Sequence, residues 1–108
     1  MVEKSVLEAV QSYLGSLKAN GMEVAFGVIF GSSAKGNSDE MSDIDLLVVS
    51  PRFDSARKRS DVNLLWRIAA VSDSRIEPVP CGKKQWIEDD SSAIIEIARR
   101  EGELVTAG

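Results

Sequence analysis

Two aspartates, Asp43 and Asp45, stand one residue apart where a polar stretch gives way to the apolar run DIDLLVVS. Side chains alternate along a strand, so this spacing puts both carboxylates on one face and Ile44 and Leu46 on the other. Neighbouring carboxylates repel, and each resists ionisation of the other unless a cation lies between them. Ligands that offer only oxygen, with room for water, suit Mg²⁺ or Mn²⁺ rather than zinc. Glu77, in the apolar context RIEPVP, is a third acid on the next expected strand. Together the three would form a metal-binding face across adjacent strands; the competing reading of Glu77 is an edge residue facing water.

The complementary half precedes the aspartates. Gly31, Ser32 and Ser33 directly follow the apolar run VAFGVIF, where backbone N–H groups and a hydroxyl could cradle phosphate oxygens. Lys35 would add a point charge. By itself, GSS equally describes a serine-capped surface turn. Other phosphate motifs are excluded by letter. Gly31 to Gly36 has the glycine spacing of a P-loop, but Asn37 and Ser38 follow where its lysine is required, and no GxGxxG occurs. An aspartyl phosphatase would carry its DxD at the end of a hydrophobic strand, whereas here the apolar run comes after the aspartates. That order favours metal ligands over a covalent aspartate.

Composition removes further chemistries. The 108 residues contain no histidine and one cysteine, which excludes a Ser-His-Asp triad, histidine general base catalysis and most zinc sites. Cys81 lacks an activating partner and reads as a small strand-end residue; the chain forms no internal disulfide, and a reducing, cytoplasmic setting is expected. A formal net charge of −4 and a pI near 4.8 argue against direct nucleic-acid binding by general charge neutralisation. Arg57, Lys58 and Arg59 read as a solvated helix face. No apolar run approaches the ~18 residues of a membrane span, and the charged N-terminus is no signal peptide.

The elements that must hold these residues follow from periodicity. Helical spacing of Val6, Leu7, Val10, Leu14 and Leu17 predicts a helix over Val2–Ala19, stopped at Asn20-Gly21. Val24–Phe30 and Asp43–Ser50 read as buried strands, the latter ended by Pro51. Ser55–Val71 is an amphipathic helix with Asp54 or Ser55 as cap. Ser74–Pro80 reads as an edge strand because of its prolines, and a last helix runs from a cap at Ser91 or Ser92 to Gly102. Leu104 and Val105 add a short terminal segment. Helix, strand, loop, strand, helix, strand, helix predicts an α/β or α+β fold, a small mixed sheet flanked by helices, as one domain over residues 1–108.

At this point Gly31-Ser32, ten residues, then Asp43-Ile44-Asp45 resembles the GSx10DxD signature of the minimal nucleotidyltransferase family, within the DNA polymerase β-like superfamily. The wider string GSSAKG…SDIDLLV resembles its core block, and the likeness extends more loosely along nearly the whole chain through element order. The resemblance implies that Gly31 and Ser32 bind a triphosphate, ATP or another NTP, while Asp43 and Asp45 hold two Mg²⁺ or Mn²⁺ ions. Glu77 matches the third acid, an aspartate in most relatives, and Lys35 stands where arginine is common. Larger relatives add a helical domain for base and acceptor, so a second protein is expected to supply that surface. Minimal members are typically paired with a HEPN-domain protein, and some are antitoxins that transfer AMP to it. The alternative is an idle site on a module that neutralises the same partner by occlusion, with Trp66 and Trp86 as candidate contacts or, more commonly for such residues, core. Exposed edges near Pro78 and Pro80 could pair subunits.

Overall fold

The computed structural model describes residues 2–31, 34, 43–55 and 57–107. The first helix, α1 (Lys4–Ala19), buries Val6, Val10, Tyr13, Leu14 and Leu17, the stripe its periodicity predicts. It stops as expected at Asn20-Gly21. Gly21 takes a φ of 88°, while its N–H donates to Lys18 O and that of Met22 to Leu17 O, each at 3.0 Å. These paired bonds satisfy carbonyls that the helix end would otherwise leave bare.

Four strands follow among the described residues: β1 (Phe26–Phe30), β2 (Ile44–Ser50), β3 (Ile76–Gly82) and β4 (Glu103–Val105). They make one sheet in the order β3-β2-β1-β4. β1 runs antiparallel to β2 and β4, whereas β2 and β3 are parallel. The parallel pair needs a crossover, which α2 (Arg59–Ser72) supplies. Two more helices, α3 (Lys83–Glu88) and α4 (Ala93–Glu101), lie between β3 and β4. This mixed α+β architecture is the one expected, and the proline-bearing β3 is indeed an edge strand.

Alternation divides the sheet into two unequal faces. Ile29, Ile44, Leu46, Val48, Ile76 and Val105 join α1 and α2 in the larger core. Val28, Leu47, Val49 and Cys81 join Ile95 and Ala98 of α4 in a smaller cluster on the opposite face. β2 is buried almost throughout because both faces are covered. Buried polar groups that have no water to turn to are paired within the fold. Tyr13 donates its hydroxyl to Leu65 O at 2.9 Å, linking α1 to α2, and burial pushes its pKa upward. Ser50, fully buried, donates to Glu23 O and accepts from Arg52 N.

Several boundaries differ from expectation. α2 starts at Arg59 with no side-chain cap, because Asp54 turns elsewhere: its Oδ1 accepts from Lys84 N at 2.8 Å, at the start of α3. α3 itself is not foreseen by periodicity; it has no buried residue and so no apolar stripe to read. β3 continues past Pro80 to Gly82, since its remaining neighbour β2 asks nothing of the proline nitrogens. Trp66 is 49% exposed and is not a core residue, whereas Trp86 packs edge-on against Phe26 at 5.7 Å between centroids. Among the described residues no helix is long and apolar enough to cross a membrane.

Candidate active site

The strand ends at one edge of the sheet bring the acidic residues together. Asp45 lies in register between Phe30 of β1 and Glu77 of β3, so these three form one row across adjacent strands, on the face of the smaller cluster. Asp43 precedes β2 by one residue and is exposed. Its strand is pinned at that point by Ile44 N, which donates to Arg75 O at 2.8 Å. Arg75 is in turn clamped to Asp73 through Nε and Nη2, the latter at 2.7 Å.

The carboxylates sense one another. Asp45 is held above the usual carboxylate range by burial and then by the charge of Asp43. Glu77 is raised chiefly by the charge of Asp43, then by desolvation, by Asp45 and by a side-chain hydrogen bond with Asp43. All three acids predicted from the sequence are therefore neighbours, and Glu77 does not face water alone. The donor set is entirely hard oxygen, whose mutual repulsion a divalent cation relieves, and in that chemical sense it fits Mg²⁺ or Mn²⁺. The side chains are crowded rather than closed around a common centre: among the described residues, no three Asp, Glu, His or Cys groups form a ready metal cage.

Gly31 completes the described part of the site. It follows β1 directly and takes a φ of 74°, a left-handed backbone that favours glycine. A Cβ there would sit 2.5 Å from Asp45 Oδ2. The missing side chain therefore lets the chain turn and leaves the Asp45 carboxylate its place. Ser32, Ser33 and Lys35, the other candidate phosphate ligands, lie outside the described residues. Cys81 is buried in β3, with burial lifting its thiol to about 11, as suits a packing residue and not a nucleophile.

A model of the nucleotidyltransferase domain family matches residues 7–101. The chain belongs to that family. The match spans β1, β2 and β3 and so includes Gly31, Asp43, Asp45 and Glu77. Two solved structures share the fold of this nucleotidyltransferase domain. One is a candidate nucleotidyltransferase from Sulfolobus solfataricus, at 15% identity and a TM-score of 0.66, covering 93% of this chain and 78% of the other. The second is a toxin–antitoxin structure with AMP-PNP, at 19% identity and a TM-score of 0.60, covering 87% and 70%. No curated protein sequence matches.

Sequence reasoning overlooked Phe30 and the Asp73–Arg75 clamp. Phe30 was hidden as one more apolar letter of VAFGVIF; only the ladder register brings it beside Asp45. The clamp joins residues two apart in a turn, a pairing that neither helical nor strand periodicity reveals.

Proposed function

We propose that this domain is a metal-dependent nucleotidyltransferase that moves a nucleoside monophosphate, AMP from ATP, onto a partner protein. The observation that carries the reading is the crowding of Asp43, Asp45 and Glu77 at one sheet edge, beside a glycine in a left-handed turn that favours glycine. Structure alone gives no reason to keep three mutually repelling acids together. Asp43, Asp45 and Glu77 would hold Mg²⁺ or Mn²⁺, two ions per site, and such ions supply charge neutralisation at the reacting phosphate. The chain's own residues do the rest. The turn at Gly31 presents backbone N–H groups to the triphosphate, joined in this reading by Ser32, Ser33 and Lys35. The rigid ladder of β1, β2 and β3 fixes the acids relative to one another, and Glu77 accepts the acceptor hydroxyl's proton on a carboxylate oxygen. The bond from the acceptor oxygen to the α-phosphorus forms as the bond to pyrophosphate breaks.

The partner we propose is a HEPN-domain protein, with this chain as the antitoxin of the pair, acting in the cytoplasm. Family membership supports the reaction class, and the fold shared with a chain of a toxin–antitoxin structure supports the setting. Incubation with α-labelled ATP, Mg²⁺ and the product of the adjacent gene tests the proposal. Label is expected on the partner, falling at least about 100-fold when Asp43→Ala is combined with Asp45→Ala. Undiminished labelling by the double variant, or none by the wild type, sinks it. Full inhibition of the partner by that variant identifies occlusion instead.

A further inference from the structure

β1 carries a phenylalanine at each end of the sheet face that bears the carboxylates, and the two are treated differently. Phe26 is covered edge-on by Trp86, which is itself capped by the Arg99 guanidinium 5.7 Å from its ring centre. Phe30, at the carboxylate end, packs along the margin of the smaller cluster and stays partly exposed. Among the described residues no other ring packs on it. On one side its ladder partner is Asp45. On the other side the chain passes through Gly102, where a Cβ would meet Val28 Cγ1 at 2.5 Å and Ile29 O at 3.0 Å. No side chain from position 102 therefore crowds this face.

We propose that Phe30 is a nucleotide-binding residue, whose ring is the platform on which the nucleobase stacks when the triphosphate lies at Gly31 and the carboxylates. The inference rests on the nucleotidyltransferase reading and adds the contact to the base. Neighbouring strands are about 5 Å apart, so Phe30 and Asp45 stand side by side on one face of the sheet, and the ring flanks the place where the triphosphate would lie. Stacking on a lone ring is tolerant of base identity because every base has a π-face. The platform therefore takes purine nucleotides ahead of pyrimidines by stacking area, with no demand for a particular hydrogen-bond pattern.

Calorimetric titrations with ATP and with inorganic tripolyphosphate, both with Mg²⁺, test the platform, since the second ligand keeps the phosphates and lacks the base. The wild type is expected to bind ATP more tightly than tripolyphosphate. Phe30→Leu is expected to weaken ATP about tenfold and leave tripolyphosphate unchanged. Phe30→Tyr, which keeps the ring, is expected to bind ATP as the wild type does and shows that the position tolerates substitution. Equal weakening of both ligands by Phe30→Leu, or no weakening of either, overturns the platform while leaving the nucleotidyltransferase reading intact, as does a wild type that binds the two ligands equally. A wild type that binds neither overturns both.

Discussion

At the scale of single residues, the site depends on one missing side chain as much as on three charged ones. Gly31→Ala would put a methyl group 2.5 Å from Asp45 Oδ2 and impose a side chain on a φ of 74°. The left-handed backbone alone costs about 1–2 kcal/mol, which the melting temperature reads directly. The displaced Asp45 should cost more in function than in stability, with transfer activity falling about 100-fold or further. A variant of normal activity would show that the Asp45 carboxylate can move without consequence. That Asp43 and Asp45 share a face was legible from alternation along the strand, whereas the parallel register that sets Glu77 beside Asp45 comes only from the ladder. Phe30 was not, since an apolar residue in an apolar run carries no sign of which neighbour it will meet.

At the scale of elements, what can be read in advance is what has a period. α1, β1, β2 and α4 announce themselves by apolar spacing, and their ends by Gly21, Gly31, Pro51, Ser92 and Gly102. Ser92 caps α4 as expected, accepting from Ile95 N at 3.4 Å. α3 has no such signature; it is held from outside, by Asp54 at its start and by Arg99, which donates to Gln85 O and Trp86 O near its end. For the same reason the start of α2 was set too early: the acid meant to cap it serves α3. The turn into β3 is another tertiary device. Asp73 accepts from Arg75 N and from its guanidinium, and chiefly the side-chain bond, opposed by desolvation, holds its carboxyl below the usual range. A lowered folded pKa stabilises the fold above the unfolded carboxylate value and loses that contribution as pH falls through the lowered one. Asp73→Asn should therefore lower stability by about 1–2 kcal/mol at pH 7, and the gap to the wild type should narrow as pH falls below about 4. Denaturant melts at the two pH values read it; a gap that does not depend on pH would mean that packing, not the charge, matters there.

At the scale of the whole molecule, charge and function pull against each other. Asp45 and Glu77 are raised above the usual range, so the stability they contribute is fully present below the unfolded carboxylate pKa and lost as pH rises through their folded values. The bare site is thus a local liability at neutral pH, on a chain that already carries a net charge of −4. The fold tolerates it by placing the acids at the starts of β2 and β3, whose Ile44 and Ile76 are anchored in the larger core. A bound divalent cation removes the repulsion, and protons compete with it in acid. The most direct test is a calorimetric titration of the wild type and of the Asp43→Ala, Asp45→Ala variant with a non-hydrolysable ATP analogue, in Mg²⁺ or in EDTA, at pH 7.5 and at pH 5. Saturable binding that requires Mg²⁺, weakens at pH 5 and vanishes in the double variant is the predicted result. Equal binding of the nucleotide in EDTA, or by the double variant, would contradict the claim that these crowded carboxylates exist to hold metal for nucleotide chemistry.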